Sequence, residues 1–263
     1  MKYAVNIEPL YPELDFCEKI RRVKAAGFDR IEFWDWSNKD VRAVKTVCEE
    51  TGVKITAFCA TAKASMCDRE HRAEAVDWVK KTIETAKFLN CDTLIVFPNH
   101  FTECGAADFR DRYSHTEMVG SIVRNLTVLA PILEKEGITL LLEPLHNHGD
   151  DAGMSVTDTR EGAGIIRTVN SPNVRLLCDF FHMQLMHGNL LPNILENLDI
   201  VPYVHLADAP DRFEPGTGEI NYEFLLSEMK KSKFKGIVCY EFFPKNDTDE
   251  ALSVAKALSD RVG

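Results

Sequence analysis

The chain has 263 residues, 45% of them hydrophobic and 27% charged, enough apolar material for one large core with no second domain required. Its 41 acidic residues outnumber 31 basic ones, for a formal charge of -10, and no basic stripe offsets them; a nucleic-acid backbone is therefore excluded as the expected partner. The eight cysteines (Cys17, Cys48, Cys59, Cys67, Cys91, Cys104, Cys178 and Cys239) include no CxxC pair, so reduced and mostly buried thiols are expected rather than a zinc knuckle or a disulfide framework.

Apolar runs of strand length recur in chain order, separated by longer stretches of helical spacing, which is the pattern of a parallel sheet with helical crossovers. The first run is "YAVNI" from Tyr3, followed by "PELDFCEKIRRVKAAGF", in which Phe16, Ile20 and Val23 share a stripe that ends at Gly27. "RIEFWDW" from Arg30, "KITAFCA" from Lys54 and "TLIVFP" from Thr93 supply three more strands. The helix "EMVGSIVRNLTVLAPILEKEG" then ends at Gly137, with Pro131 expected to kink it or mark a break. "TLLLEPL" from Thr139, "VRLLCDFF" from Val174, "PYVHLAD" from Pro202 and "GIVCYEFFP" from Gly236 complete eight strands, and "DTDEALSVAKALSDRVG" has the acidic start of a closing helix.

The runs are continuous rather than alternating, as expected where both faces of a strand are covered. Eight β/α units in a chain of this length predict a single (β/α)8 TIM barrel over residues 1–263, a fold of about 250 residues. A doubly wound sheet is the alternative, but GxGxxG does not follow the first strand. The start "MKYAVNIEPLYPELDF" has no apolar run fit for a signal peptide, and no roughly 18 apolar residues follow one another uncharged. A soluble cytoplasmic protein without membrane contact is expected.

Catalytic groups of a TIM barrel come from the C-terminal ends of its strands. Four consecutive predicted strands end in Glu143, Asp179, His205 and Glu241, which neighbouring positions in the barrel wall would bring together. Three carboxylates and an imidazole so close together would repel and be costly to bury unless they share a divalent cation. Alone, each is explained as a solvated strand end or a hydrogen-bonded core histidine; four in succession weaken that explanation. Three oxygen donors and one nitrogen suit Mn²⁺ first, then Co²⁺ or Mg²⁺, with Zn²⁺ not excluded.

Other side chains stand around this quartet. His182, three residues beyond Asp179, either meets a substrate hydroxyl or lies in a surface loop. Arg212, in the polar stretch "ADAPDRFEPGTGEINY", either faces an anionic intermediate or substrate carboxylate or pairs with Asp211 or Glu214. "GTGEI" lacks the Walker lysine and is expected to form a turn. Trp34, Trp36, Phe242 and Phe243 either stack on a sugar or fill the rim. His146 and His148 read first as loop histidines, with His146 a second candidate base.

The segments "LLLEPLHN", "CDFFHMQ", "HLADAPDRFEPGTGEINYEFL" and "CYEFFP" resemble the hydroxypyruvate isomerase family, within the xylose-isomerase-like TIM barrels that include ketose 3-epimerases. The resemblance runs from about Thr139 to Pro244, and more loosely through "DFCEKIRRVKAAGFDRIEFW". It implies that Glu143 and Glu241 are metal ligands and the acid/base pair, that Asp179 is a ligand, and that His182 and Arg212 contact substrate oxygens. It also implies homo-oligomers among relatives. Two departures stand out: His205 is where close relatives of hydroxypyruvate isomerase carry glutamine and the epimerases histidine, and "FCATAKASMCDREHR" lacks the "NLPAGDW"-like segment of the isomerases. The implied activity is proton transfer beside a carbonyl, through an enediolate, on a small keto sugar or hydroxy-keto acid. A metal-dependent lyase or dehydratase on an oxidised sugar, with His146 as base, and a non-catalytic sugar-binding barrel are the alternatives.

Overall fold

A computed structural model describes residues 1–61, 65–101, 107–109, 111–147 and 152–263. Its strands are β1 (Lys2–Asn6), β2 (Arg30–Phe33), β3 (Lys54–Cys59), β4 (Thr93–Val96), β5 (Thr139–Leu142), β6 (Val174–Asp179), β7 (Tyr203–Leu206) and β8 (Ile237–Tyr240). Each pairs in parallel with its sequence neighbour, and β8 pairs back with β1 through Ala4 and Cys239, so the sheet closes into a barrel. All eight predicted strands are present; Asp179 and His205 lie within β6 and β7, whereas Glu143 and Glu241 fall one residue past the ends of β5 and β8.

Helices cross between successive strands: α1 (Phe16–Ala25), α2 (Val41–Thr51), α3 (Arg72–Phe88), α4 (His115–Glu136), α5 (Thr159–Val169), α6 (Phe180–Met186), α7 (Leu190–Leu195), α8 (Tyr222–Lys231) and α9 (Thr248–Val262). Several starts are capped by side chains that accept orphan backbone N–H groups, among them Asp15 for α1, Asp40 for α2, and a reciprocal Ser114–Glu117 capping box for α4, whereas α3 and α7 have no side-chain cap. Gly137 ends α4 in the left-handed conformation, as predicted. Pro131 produces no break, and α4 runs through it. Pro131 and Thr127, whose carbonyl loses its helical donor there, are both exposed, so water can satisfy the freed group.

The strand pleat divides the apolar side chains into two sets. Outward residues such as Val5, Leu140, Leu142 and Val204 pack beneath the helices in the main core. Inward residues Ala4, Ala57, Ile95, Leu141, Leu177, Tyr203 and Cys239 fill the barrel. Two residues further along the same face come Asn6, Phe97, Glu143, Asp179, His205 and Glu241. The barrel interior thus changes from apolar to charged within one pleat repeat, at the C-terminal mouth.

Among the described cysteines, Cys59, Cys67, Cys91, Cys178 and Cys239 are buried, Cys17 and Cys48 are partly exposed, and all are free. Cys104 lies outside the described residues. No helix among the described residues is long and apolar enough to cross a membrane.

Candidate active site and metal centre

Glu143, Asp179, His205 and Glu241 meet at the barrel mouth, each offering one ligand atom, and these atoms lie within 4.8 Å of one another. All four are buried. The imidazole organises the group: His205 Nδ1 lies 3.1 Å from Glu143 Oε1, 3.2 Å from Glu241 Oε2 and 3.9 Å from Asp179 Oδ2.

Each carboxylate has a different setting. Asp179 caps α6, its Oδ1 accepting from the backbone N–H of Phe181 at 2.7 Å and of His182 at 3.3 Å, which leaves Oδ2 for the cluster. Glu241 is enclosed by donors: Trp34 Nε1 at 2.6 Å and Asn6 Nδ2 at 3.0 Å on Oε1, and Arg212 Nη2 at 2.8 Å on Oε2. For Glu143 the charged partner is His205.

These settings separate the acidities. Burial pushes the Glu143 carboxyl up to about 8, outweighing the attraction of His205. Burial opposes the charge of Glu241 too, but His205, Arg212 and the Trp34 hydrogen bond overcome it and hold this carboxyl far below the usual range. Burial also raises Asp179. His205 is disfavoured as a cation by burial, yet Glu32, Glu241 and Glu143 together raise its pKa well above the ordinary value. The two glutamates therefore pull in opposite directions, because both share His205 while Glu241 alone also has Arg212.

With Glu32, which sits 3.0 Å from His205 Nε2, four buried carboxyl groups face two cationic side chains. Ionised together they would exceed them by two negative charges, an excess that the metal-free protein relieves by keeping the proton on Glu143 up to about 8. That excess, and a donor set of three oxygens and one nitrogen around one point, fit a divalent cation.

A cavity of about 300 Å³ opens above the quartet. Glu143 and Glu241 form part of its lining, with His182, Arg212 and His100 as polar groups and Trp34, Phe97, Phe101 and Leu145 as apolar walls. His182 is buried in α6 and not in a surface loop. Burial and then Arg212 drive its pKa well below the ordinary value, which keeps the ring neutral. His146 stacks on the His182 ring at 4.8 Å, with the two Nδ1 atoms 2.6 Å apart, and is outside the ligand quartet. His148 lies outside the described residues.

Arg212 pairs with neither Asp211 nor Glu214 in the way its local spacing suggested; besides Glu241, it lies over the Phe181 ring at 5.3 Å. Its backbone is left-handed, φ 61°. The loop holds it there through Asp208, whose carboxylate accepts from the N–H groups of Ala209 at 3.1 Å, Gly216 at 2.7 Å and Ile220 at 3.0 Å. Gly218 is required because a Cβ there would meet the Ala209 carbonyl oxygen at 2.0 Å. "GTGEI" is thus a turn wrapped on a carboxylate.

The aromatics divide. Trp34 reaches the site, whereas Trp36 stacks on Trp78 at 5.2 Å and donates to Thr82 at 3.1 Å, away from it. Phe242 is buried, and Phe243 is 43% exposed beside Trp34. Glu32 and Asn6 are participants that the sequence reading missed. Both interrupt apolar strands at inward-facing positions, which is the signal that marks them.

The profile of the xylose isomerase-like TIM barrel family matches residues 20–258. The chain belongs to that family. It is 29% identical over 259 residues to the hydroxypyruvate isomerase of Escherichia coli strain K12, covering 96% of this chain and 97% of that protein. To the 3-dehydro-D-guloside 4-epimerase of the same organism it is 26% identical over 249 residues, 92% of each chain. The fold superposes on the 3-keto-D-glucoside 4-epimerase of E. coli with a TM-score of 0.84, at 23% identity, over 99% of both chains.

Proposed function

We propose that this family member is a divalent-metal-dependent isomerase or epimerase, which moves a proton on the carbon beside a carbonyl of a small keto sugar or hydroxy-keto acid. The observation that carries this reading is the pair Glu143 and Glu241, two carboxylates of opposite acidity that line one cavity above a metal-type quartet. Relatives named as a hydroxypyruvate isomerase and a 4-epimerase support the reaction class.

Glu143, Asp179, His205 and Glu241 would hold the cation, with Mn²⁺ the first choice and Co²⁺, Mg²⁺ or Zn²⁺ compatible with the donors. When bound, it supplies Lewis-acid polarisation of a substrate carbonyl. One glutamate takes the α-proton and a glutamate returns a proton, to the neighbouring carbon in isomerisation or to the same carbon in epimerisation. Arg212 places positive charge where the enediolate develops negative charge, and its bond to Glu241 orients that carboxylate. His182, neutral and facing the cavity, serves as a hydrogen-bond partner for a substrate hydroxyl. The apolar walls restrict water around the transferred proton.

The test is solvent exchange: candidate ketoses and hydroxy-keto acids are incubated in D₂O with Mn²⁺ and the products analysed. Deuterium at the carbon beside the carbonyl is expected with the parent protein and lost in Glu241→Gln. Exchange that persists in the variant removes Glu241 from the chemistry; a parent that exchanges nothing but binds sugar returns the barrel to a binding role.

A further inference from the structure

The imidazole of His205 has a second face. Its Nε2 lies 3.0 Å from Oε2 of Glu32, a side chain with no solvent exposure. The other oxygen, Oε1, accepts from Asn6 Nδ2 at 2.8 Å. Asn6 cannot turn over: its Oδ1 accepts from the Glu8 backbone N–H at 3.0 Å, so its NH₂ must face Glu32, and it also donates to Glu241 at 3.0 Å. Oε1 of Glu32 is therefore held as an acceptor by a chain of bonds that begins at a backbone amide, and this turns Oε2 toward His205.

Nδ1 faces carboxylates as well, those of Glu143 and Glu241, so both ring nitrogens carry hydrogen until a cation bound at that point would displace the one on Nδ1. A carboxylate oxygen cannot donate, so the hydrogen that remains is the one on Nε2, facing Glu32. We propose that Glu32 is a positioning residue that fixes His205 as the Nε2–H tautomer, keeping the Nδ1 lone pair aimed at the point shared by Glu143, Asp179 and Glu241. This rests on the metal reading of the quartet above. It follows the general logic by which a ligating histidine is oriented through the nitrogen it does not use for metal. Asn6 couples the device to the site, since one NH₂ group bridges the orienting carboxylate and the ligand Glu241.

The isosteric variant Glu32→Gln is a sharp probe because Asn6 dictates its orientation. The amide oxygen must face the Asn6 donor, so its NH₂ faces Nε2, makes that nitrogen the acceptor and moves the ring hydrogen to Nδ1. Adding Asn6→Ala releases the amide, which can then turn its oxygen to Nε2.

Zn²⁺ is the probe, since it is diamagnetic. In the zinc-loaded parent, ¹⁵N spectra of His205 are expected to show a protonated, hydrogen-bonded Nε2; an unprotonated Nε2 overturns the proposal without any variant. Zn²⁺ affinity, measured by competition with a chelator, is expected to fall about 10–100-fold in Glu32→Gln. The Glu32→Gln/Asn6→Ala protein is expected to regain the Nε2–H signal and part of the affinity. Unchanged affinity in Glu32→Gln, or a loss that Asn6→Ala does not relieve, as a simple charge effect would give, overturns the assignment of Glu32. A parent that binds no Zn²⁺, Mn²⁺ or Co²⁺ overturns the metal reading itself and this inference with it.

Discussion

Arg212 Nη2 donates to Glu241 Oε2 at 2.8 Å, and the oxygen it contacts is the one that faces His205 at 3.2 Å. A guanidinium on the cavity wall and an imidazole beneath it thus compete for one carboxylate oxygen. Arg212 holds Glu241 ionised and in place before substrate arrives. Arg212→Ala is expected to lower the rate of α-proton exchange about 10²–10³-fold, the usual cost of removing a donor aimed at developing negative charge. Arg212→Lys should recover part of that loss, because it restores charge without the planar fork or the stack on Phe181. Exchange rates in D₂O under saturating metal measure both.

Asp208 is not among the residues that line the cavity, yet its carbonyl accepts from the Arg212 N–H at 2.9 Å and its carboxylate supports the loop that carries Arg212. Asp208→Ala leaves the N–H groups of Ala209, Gly216 and Ile220 without their acceptor in a buried turn. The expected cost is about 3 kcal/mol, seen as a fall of roughly 5–10 °C in Tm, with loss of exchange activity at temperatures where the variant is still folded. Full activity in a folded Asp208→Ala protein would show that Arg212 is held by Glu241 and Phe181 alone.

The barrel was legible because its strands are continuous apolar runs separated by capped amphipathic helices. The quartet was legible because each member ends such a run. Glu32 and Asn6 were not. Glu32 lies between Ile31 and Phe33 of the outer core, so alternation turns it inward beside Ala57, but a lone polar residue in a short strand does not show its partners. The roles of Glu32 and Asn6 come from contacts to each other, to His205 and to Glu241 on distant strands. His182 read equally well as a loop residue because a helix as short as α6 shows no periodicity. Arg212 could be placed on its loop but not aimed, since its direction depends on a left-handed backbone set by contacts to Asp208.

Metal removal should destabilise the fold as well as abolish activity. The folded protein presents four ligands at one point and the unfolded chain does not, so a cation at 100 times its Kd adds about 2.7 kcal/mol. Tm measured after chelation and after returning Mn²⁺ or Zn²⁺ should differ by roughly 5–10 °C. In Asp179→Asn, which keeps the α6 cap but weakens a ligand, the metal-dependent part should shrink while the metal-free Tm holds or rises. An equal metal-induced shift in Asp179→Asn would place the cation elsewhere.

The metal-free protein should also carry a pH signature of its crowded carboxylates. Glu143 keeps its proton in the fold up to about 8, against an ordinary value of 4.5, so between these limits the folded state binds more protons than the unfolded chain. Stability therefore falls as pH rises through that window. His205, raised well above 6.5 by its three glutamate neighbours, adds a decline of the same sign above that value. Glu241 is depressed below 4.5 and acts oppositely: its contribution is present above 4.5 and lost as pH falls further. Tm in the presence of a chelator is thus expected to peak near pH ~5 and to decline toward pH ~8. Glu143→Gln, which cannot ionise, should flatten the decline, and saturating metal should reverse it by favouring the ionised ligands. A chelated protein whose Tm climbs steadily from pH 6 to pH 8 would contradict the charge excess on which the metal centre is argued.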